Sequence, residues 1–290
     1  MLIKDIPPTL ETNTIQAALR QASKHLQAYS DTATQDAQVL LAAITGQPRP
    51  WVIAHPEASL TPSQQENLET ALVQLEAGQP LPYVLGEWEF YGLKFMVTPD
   101  VLIPRPETEL LVETAIAWLE AHPAQRRMGE VGTGSGCITI SLAVNVPDLV
   151  AIASDVSIPA CFVARTNVLR HIPCSQVAVV QDNLLAVNRG PFDLLCANLP
   201  YIPTGTLESL AVFGREPTLA LDGGADGLDL IRQLLDLCPH LLAPGGMALF
   251  EIGAEQGKAA QQIARQAFPA AQVNVKSDLA GHARLLIIET

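Results

Sequence analysis

The chain has 290 residues, more than one typical domain, so a large domain with a small one is the simplest division. Hydrophobic residues make up 48% of the sequence and charged residues 16%, and no apolar run is long enough to predict a membrane span. The formal net charge of −13 disfavours broad binding to nucleic acid backbones, which normally requires clustered lysine and arginine.

Residues 1–80 are predicted to form a small helical domain. The opening segment MLIKDIPPTLETN lacks the apolar stretch of a secretory signal, so a cytoplasmic protein without membrane association is expected. Apolar residues recur at helical spacing over 14–28 and 33–46. A third helix is predicted over 62–77, because Thr61-Pro62 suits a helix start. Helix-breaking residues are predicted to separate the second and third helices: Gly46, Pro48, Pro50 and Pro56.

Residues 81–103 are predicted to be a β-hairpin linker, formed by strands rather than a helix, because aromatic and β-branched residues are frequent there. The next segment, ETELLVETAIAWLEAHP, has the pattern of an amphipathic helix. Short apolar runs then alternate with helix-like stretches, which indicates a parallel α/β sheet. These runs lie near 127–131, 150–154, 177–181, 192–197 and 246–252. The last two strand-like segments are joined through Asp278–Gly281, too short a link for a crossover, so antiparallel neighbours are expected.

The segment Glu130–Gly136 carries the sharpest local signal for a ligand. Its glycines follow a strand-like run and precede an apolar helix, so the backbone can approach a ligand and present helix N-terminal amides to it. The dinucleotide fingerprint would require a glycine at position 137, where the chain has Cys137. A tight turn that binds no ligand is the alternative explanation. The candidate contacts are Gly132, Thr133, Gly134, Ser135 and Gly136.

Polar residues after the next two strands outline a nucleoside. Asp155 ends the first of them, where an acid in this kind of sheet accepts hydrogen bonds from ribose hydroxyls. Asp182 and Asn183 follow the second, at the edge expected to hold an adenine ring, although a simple turn would also use these residue types. With the glycine loop, these positions suggest a nucleoside without a pyrophosphate clamp. S-adenosylmethionine (SAM) fits that outline better than NAD.

The segment Asn198-Leu199-Pro200-Tyr201 follows the fourth strand and suggests an acceptor site for a planar nitrogen. Such a nitrogen is a poor nucleophile because its lone pair is delocalised, so the site should offer two acceptors to its N–H groups. The Asn198 side-chain oxygen and the Leu199 carbonyl are candidates, and Tyr201 can stack on the acceptor plane. Orientation would then supply most of the catalysis, without a strong general base. An Asx turn leading out of the strand is the alternative.

Together these residues resemble the HemK-type (PrmC-type) glutamine-N5 methyltransferases, which modify peptide chain release factors. The resemblance covers almost the whole chain, and the run Leu102–Glu109 together with the Asn198 motif is specific to that family. The family's usual motif is Asn-Pro-Pro-Tyr, and this chain has Leu199 where the first proline is expected. Leucine also supplies a carbonyl, and Pro200 still restricts residue 199 to extended conformations. The other matching segments are Gly86–Gly92, Gly132–Gly136, Arg215–Pro217, Asp222–Gly227, Glu251–Gly253 and Asp278–Gly281.

The resemblance implies a seven-stranded, Rossmann-like SAM-dependent methyltransferase domain over 104–290 and a helical domain over 1–80 that docks the release factor. The implied reaction transfers a methyl group from SAM to the side-chain amide nitrogen (N5) of the glutamine in a Gly-Gly-Gln motif. The implied SAM contacts are Gly132, Thr133, Gly134, Ser135, Gly136, Asp155, Asn183 and Asn198. The implied catalytic and acceptor-binding residues are Asn198, Leu199, Pro200 and Tyr201.

Four further positions match the family near the site without an assigned role: Pro104, Arg105, Thr108 and Glu216. Helix capping for Thr108 and a structural ion pair for Arg105 are the alternatives. The five cysteines are expected to be buried thiols. Neither they nor the six histidines show ligand spacing, so no metal ion is expected.

Two other functions are considered beside glutamine methylation. An amino methyltransferase acting on adenine in DNA or RNA would use the same planar geometry. The acidic charge and the absence of a basic insert disfavour it, and direct nucleic acid binding is not expected. The other is a protein that keeps the fold and binds SAM without transferring its methyl group.

Overall fold

The computed structural model describes residues 13–28, 30, 32–172, 176–185 and 190–290. The chain divides into two compact units, Met1–Gly86 and Glu87–Thr290. The domain boundaries near residues 80 and 103 that the sequence suggests stay a prediction. Among the described residues, no helix combines the length and the hydropathy needed to span a bilayer.

The described part of the first unit is helical, as predicted for its main segments. Its core is formed by apolar faces of the longer helices, with Ile15, Leu41 and Leu72 almost fully buried. The Thr61 hydroxyl accepts a hydrogen bond from the Gln64 N–H, and the Gln64 side-chain oxygen accepts one from the Thr61 N–H, which forms a capping box. The helices are α1 (Ile15–Leu26), α2 (Ala33–Thr45), α3 (Arg49–Ala54), α4 (Pro62–Glu76) and α5 (Leu81–Leu85).

Two short helices in this unit were not predicted. Pro50 lies in the first turn of α3 and Pro82 in the first turn of α5, where a helix needs no N–H donor, so these prolines start helices rather than prevent them. The expectation of strands rather than a helix was therefore wrong for residues 81–85. Gly86 ends α5 with a φ of +72°, a conformation that favours glycine.

The second unit begins with a hairpin and continues as an alternation of helices and strands. Strands β1 and β2 pair antiparallel, with Trp88 opposite Phe95. The elements are β1 (Glu87–Phe90), β2 (Leu93–Met96), a 3₁₀ turn (Pro106–Thr108), α6 (Glu109–Ala121), β3 (Arg127–Val131), α7 (Cys137–Asn145), β4 (Val150–Asp155), α8 (Ile158–His171), β5 (Val177–Gln181), β6 (Phe192–Ala197), α9 (Thr204–Leu207), a 3₁₀ turn (Thr218–Ala220), α10 (Asp229–Leu241), β7 (Leu242–Glu251), α11 (Gly257–Ala267), β8 (Gln272–Ser277) and β9 (Ala283–Glu289).

The second unit contains a seven-stranded sheet in the order β5-β4-β3-β6-β7-β9-β8, which confirms the predicted fold class. Strands β3 to β7 pair parallel, whereas β9 is antiparallel to both β7 and β8, as expected from the short link between β8 and β9. The chain runs outward from β3 through β4 to β5 and returns with β6 on the other side of β3. The loops that leave β3 and β6 therefore diverge, and a crevice opens at the carboxyl edge between them.

Helices cover both faces of this sheet. Helices α6, α7 and α8 pack with the hairpin on one face, where Phe95, Leu119 and Leu142 are buried. Helices α10 and α11 pack on the other, where Leu234 and Phe250 are buried. Burial on both faces explains why the central strands read as continuous apolar runs. The buried thiols are confirmed for Cys137, Cys161, Cys196 and Cys238, and Cys174 lies outside the described residues.

Candidate active site

A cavity of about 400 Å³ lies at the carboxyl ends of β3, β4, β5 and β6. It is the place where the crevice of a doubly wound sheet is expected to bind a ligand, and its volume is in the range of small-molecule sites. Most of the predicted contacts line it: Gly132, Thr133, Gly134, Ser135, Asp155, Asn183, Asn198, Leu199 and Pro200. Asp182 lines it as well, whereas Gly136 and Tyr201 do not.

The glycine loop needs backbone angles that side chains rarely adopt. Gly132, Gly134 and Gly136 have φ values of +71°, +54° and +83°. A Cβ atom on Gly136 would lie 3.0 Å from the Ile140 side chain, whereas one on Gly134 would face open space. Gly136 therefore shapes the turn into α7, and Gly134 leaves room for a ligand.

Asp155 joins the end of β4 to the glycine loop. Its Oδ2 atom accepts a hydrogen bond from the Gly134 N–H at 2.9 Å, and its Oδ1 atom accepts one from the Ser157 N–H at 2.9 Å. Burial raises the pKa of Asp155, although these backbone donors oppose the shift. Each carboxylate oxygen keeps a further lone pair, so the fixed side chain can still accept from ligand hydroxyls.

Glu130, near the end of β3, is a buried carboxyl group that sequence reasoning did not select as a contact. It is 1% exposed, lines the cavity, and accepts hydrogen bonds with Oε2 from the hydroxyls of Thr133, at 2.8 Å, and Thr139. Among the described residues, its Oε1 atom has no hydrogen-bond partner. Burial raises the pKa of Glu130 to about 7, against the effect of the two hydroxyls. A cationic ligand group would compensate the unpaired oxygen.

These features fit SAM, which carries an adenosine, an ammonium group and a sulfonium group. Asp155 offers acceptor oxygens for ribose hydroxyls, and the unpaired oxygen of Glu130 suits a positive charge. Gly134 has no Cβ atom, so the glycine loop leaves space for a ligand at this position. A ligand with a pyrophosphate is less suitable, because a buried carboxyl group in the cavity would repel it.

A second cavity of about 330 Å³ adjoins the first. The two share part of their lining, namely Leu102, Arg105, Asn198, Leu199, Pro200 and Ala220. Tyr201 and apolar residues from 210–212 line only the second cavity. The Asn198 segment therefore stands between two spaces, one with the features of a cofactor site and one that suits an apolar or peptide ligand.

A chain of polar side chains starts at Asn198 and includes Thr108, which lines the first cavity, and Tyr201, which lines the second. The Asn198 Nδ2 atom donates to the Thr108 hydroxyl at 3.0 Å, and the Thr108 hydroxyl lowers the pKa of nearby Glu251 at the end of β7. The Tyr201 hydroxyl donates to Glu251 Oε1 at 3.4 Å. Thr108 and Glu251 are each 2% exposed. The chain therefore links the loop after β6, the end of β7 and the start of α6.

Two titratable groups of this chain, Glu251 and Tyr201, have pKa values shifted from their usual range. Burial raises the pKa of Glu251 to about 7, while the Thr108 and Tyr201 hydroxyls and Arg284 oppose the shift. Burial, followed by the nearby Glu251, raises the pKa of Tyr201 well above its usual range. Tyr201 thus remains a donor, and Glu251 is ionised above neutral pH.

The backbone of Tyr201 is held by a second set of contacts. Gln256 donates through Nε2 to the carbonyl oxygens of Tyr201, at 2.9 Å, and Asp226, at 3.2 Å. A Cβ atom on Gly227 would lie only 2.1 Å from the Tyr201 carbonyl oxygen. A Cβ atom on Gly223 would lie 2.6 Å from the Pro200 carbonyl oxygen. These two glycines let the segment 222–227 pack directly against the backbone of the candidate acceptor site.

Leu199, the departure from the usual motif, is part of the core. It is 4% exposed, and a Cβ atom on Gly132 would lie 3.0 Å from its Cδ2 atom. The leucine side chain therefore packs closely against the glycine loop. This packing fixes residue 199 by contacts, where a proline would fix it through its ring.

Arg105 and Glu216 form an ion pair that anchors the loop before α6. The Arg105 guanidinium donates to Glu216 Oε1, and Glu216 Oε2 accepts from the Ile103 N–H at 3.1 Å. Glu216 is buried, and Arg105 also lines both cavities. Thr108 stands at the N-cap of α6, yet its hydroxyl makes no capping hydrogen bond to the described residues of that helix. The structural ion pair that was the alternative role for Arg105 is therefore present. Helix capping, the alternative role for Thr108, is not observed among the described residues.

Comparison with known proteins gives related chains across nearly the full length. A family model described as the PrmC N-terminal domain matches residues 17–86. A protein of Moorella thermoacetica called release factor glutamine methyltransferase is 39% identical over 277 residues, which cover 94% of this chain and 98% of that protein. A protein of the same name from Bradyrhizobium diazoefficiens is 35% identical and is matched over 92% of each chain.

Solved structures agree on the fold. The hMettl16 catalytic domain, crystallised with a hairpin of the MAT2A 3′UTR, superposes with a TM-score of 0.54 at 15% identity. The match covers 78% of this chain and 81% of that domain. At such low identity the likeness concerns the fold and not the substrate.

Proposed function

Because the chain belongs to the family of release factor glutamine methyltransferases, we propose that it transfers a methyl group from SAM to the glutamine side-chain amide (N5) of the Gly-Gly-Gln motif in a peptide chain release factor. The observation that carries the proposal is the position of Asn198 between two adjoining cavities. A cofactor in the first and an amide in the second would meet at this residue.

The chain is a methyltransferase, and its cofactor is SAM. When bound, SAM supplies an electrophilic methyl group. We assign its binding to the glycine loop Gly132–Gly136, to Asp155 and to Asn183, with Gly136 acting through the shape of the loop. Glu130 joins this set, because its unpaired oxygen offers a partner for a positively charged group of the cofactor.

The segment Asn198–Tyr201 is proposed to hold the acceptor amide. The Asn198 Nδ2 atom is already bonded to Thr108, which leaves the side-chain oxygen to accept from one N–H of the glutamine. The Leu199 carbonyl is proposed to accept from the other. Pro200 and Tyr201 line the second cavity, where Tyr201 can pack against the amide plane. Fixing the nitrogen towards the methyl group is the main contribution to the rate, because alignment of reactants can lower a barrier without acid or base catalysis.

The helical unit is proposed to dock the release factor, since it contains the residues that match the PrmC N-terminal domain. A cytoplasmic location is proposed with it, as expected for an enzyme that modifies a translation factor. Methylation of adenine in DNA or RNA is not favoured. Relatives at 35–39% identity are named for release factor glutamine methylation, whereas the likeness to an RNA-bound domain is one of fold.

The proposal is tested by offering competing acceptors in one reaction. Purified protein is incubated with methyl-labelled SAM, a release factor, rRNA and DNA, and the label in each fraction is counted. We expect the label in the release factor and none in the nucleic acids. Label in rRNA or DNA would reverse the choice of substrate class. SAM binding measured by calorimetry without transfer to any acceptor would favour a silent binding protein.

A further inference from the structure

Gln256 has a buried side-chain amide that joins three separate segments of the second unit. The residue is 9% exposed. Its Nε2 atom donates to the carbonyl oxygens of Tyr201, at 2.9 Å, and Asp226, at 3.2 Å, and its Oε1 atom accepts from the Gly253 N–H at 2.7 Å. One side chain therefore ties the loop after β6 to the segment 222–227 and to the loop after β7.

The orientation of this amide is fixed by its partners. A backbone carbonyl can only accept a hydrogen bond and a backbone N–H can only donate one, so the Gln256 nitrogen must face the two carbonyls and its oxygen the N–H. Gln256 stands at the N-cap of α11, yet its side chain makes no capping hydrogen bond to the described residues of that helix. Its hydrogen bonds serve the neighbouring loops instead.

Two glycines make room for this amide. A Cβ atom on Gly227 would lie 2.4 Å from Gln256 Nε2, and one on Gly253 would lie 2.9 Å from Gln256 Oε1. Both distances are shorter than real Cβ contacts. The backbone can approach the Gln256 amide from both sides only because these two residues lack a side chain.

The contact with Gln256 anchors one end of the candidate acceptor segment. The segment starts at β6, whose last residue Ala197 pairs with β3 and β7. It ends at Tyr201, whose carbonyl Gln256 holds, and at Ile202, whose N–H donates to the Leu221 carbonyl at 3.0 Å. The residues between these anchors are therefore held from both ends.

We infer that Gln256 is a positioning residue for methyl transfer, which holds the acceptor segment Asn198–Tyr201 in place through the Tyr201 carbonyl. The inference rests on the proposed function and adds a residue to it, since Gln256 lines neither cavity. Without the donated hydrogen bonds, the Leu199 carbonyl and the Tyr201 ring would no longer meet the glutamine amide in the required geometry. SAM would still bind, because the residues assigned to it lie at the ends of β3, β4 and β5.

The test compares two variants of Gln256 with a control on the same helix. Gln256→Glu keeps the size of the side chain and the acceptor for Gly253 but removes both donors, and Gln256→Leu removes donors and acceptor. We expect both to lower kcat by about 100-fold, the loss that a misplaced reacting group can cause. Gln261→Leu is the matched control and should keep the wild-type kcat, because Gln261 donates to the Val273 carbonyl at 2.9 Å, away from both cavities.

SAM binding is measured on the same samples, because a loss of folded protein would also lower the apparent kcat. We expect the Kd for SAM and the number of SAM molecules bound per chain to equal the wild-type values. The KM for the release factor should change less than kcat, since the helical unit is proposed to supply docking contacts. Wild-type kcat in the Gln256 variants would overturn the inference. A SAM stoichiometry that falls in proportion to kcat would overturn it in favour of a purely structural role.

The carbonyl of Tyr201 can be observed directly by NMR. Tyr201-Ile202 is the only Tyr-Ile pair in the sequence, so a protein labelled with [1-¹³C]tyrosine and ¹⁵N-isoleucine gives one signal in an HNCO spectrum. We expect this signal to shift in both Gln256 variants, which lose the hydrogen bond, and to stay in place in Gln261→Leu. An unchanged signal in the Gln256 variants would overturn the inference.

A measurement on the wild-type protein does not depend on the folding of any variant. The side-chain NH₂ group of Gln256 is assigned by NMR correlation to its own backbone. We expect its protons to exchange slowly with water, because Nε2 donates to two carbonyls in a buried position. Exchange as fast as that of the exposed Gln21 would overturn the inference. A protein that does not methylate release factors contradicts the proposed function, whereas the NMR signals decide whether Gln256 holds Tyr201.

Discussion

The Asp155 carboxylate accepts a hydrogen bond from the Gly134 N–H at 2.9 Å, so the acid that ends β4 holds the glycine loop that follows β3. The two residues lie 21 positions apart in sequence and line the same cavity. We propose two tasks for an acid at this position. It would accept from the ribose of SAM, and it would keep the loop in the conformation that admits the cofactor.

Replacing Asp155 by alanine should weaken SAM binding. Hydrogen bonds to charged groups contribute about 1.5–3 kcal/mol, so we expect the Kd for SAM to rise by roughly 10- to 100-fold. Isothermal titration calorimetry measures the change. Asp148→Ala is the control, because Asp148 is a largely exposed ion-pair partner of Arg126 outside the cavity. An unchanged Kd in Asp155→Ala would contradict the role given to this carboxylate.

Asn198→Ala should act on turnover and not on the cofactor. The variant loses the side-chain oxygen proposed to orient the acceptor amide, and a misplaced reactant can cost about 100-fold in rate. The Kd for SAM should change little. Asn145→Ala serves for comparison, since the Asn145 side chain bonds the Ser141 carbonyl at the end of α7. If Asn198→Ala and Asp155→Ala weakened SAM binding equally, the assigned roles would be wrong.

The affinity for SAM should depend on pH through Glu130. Burial raises the pKa of this carboxyl group to about 7, so in the free protein it is largely protonated below that pH. A cationic cofactor favours the ionised form, and binding then releases a proton. Affinity should consequently rise with pH, by up to about tenfold per unit, and level off above pH 7. Calorimetry across this range measures the slope, and Glu130→Gln should remove it. A slope that persists in Glu130→Gln would assign the titration to another group, such as Asp155.

The stability of the free protein should show the opposite trend for Glu130. A carboxyl group whose pKa is raised on folding stabilises the native state fully below its unfolded pKa, and this contribution is lost as the pH rises through about 7. Thermal unfolding without SAM should therefore show Glu130→Gln gaining stability relative to the wild type as the pH rises from the ordinary carboxyl pKa of 4.5 to about 7. A difference in Tm that does not vary with pH would contradict this.

Gly227→Ala should disturb the backbone of Tyr201. A Cβ atom there would lie 2.1 Å from the Tyr201 carbonyl oxygen, and Gly227 has a φ of +76°. We expect the free energy of unfolding to fall by about 2 kcal/mol or more, together with a loss of turnover. Gly214→Ala is a matched control, because Gly214 has a φ of +71° with no atom within 4 Å of an added Cβ. Equal urea unfolding midpoints for the two variants would show that the close contact has no effect of its own.

The sequence predicted those candidate site residues that lie at the end of one strand or in the loop directly after it. The glycine loop, Asp155, Asn183 and the Asn198 segment each follow one apolar run, and parallel strands bring their carboxyl ends to one edge. Gly136 does not line the first cavity, and Tyr201, which was predicted to hold the acceptor, lines the second cavity. A pattern of residue types does not show which way each residue points within its loop, so it could not predict which cavity each residue lines.

The contacts that were missed depend on distant parts of the chain. Thr108 and Asn198 meet because α6 begins near the end of β6, a contact that no local pattern reveals. Both belong to segments that resemble the family, so the resemblance was the available signal. For Glu130, the unpaired oxygen becomes visible only once the hydroxyls of Thr133 and Thr139 are placed. The short helix α3 was missed because Pro48 and Pro50 were interpreted as helix breakers, and α5 was missed because brief apolar runs do not separate helix from strand.

The proposed acceptor is the side-chain nitrogen of one glutamine. The most direct measurement is tandem mass spectrometry of a release factor incubated with the protein and SAM carrying an isotopically labelled methyl group. We predict one labelled methyl group per release factor, on the glutamine side chain of the Gly-Gly-Gln peptide, and none when that glutamine is replaced. An unmodified Gly-Gly-Gln peptide, or a methyl group on another residue of the release factor, would contradict the account.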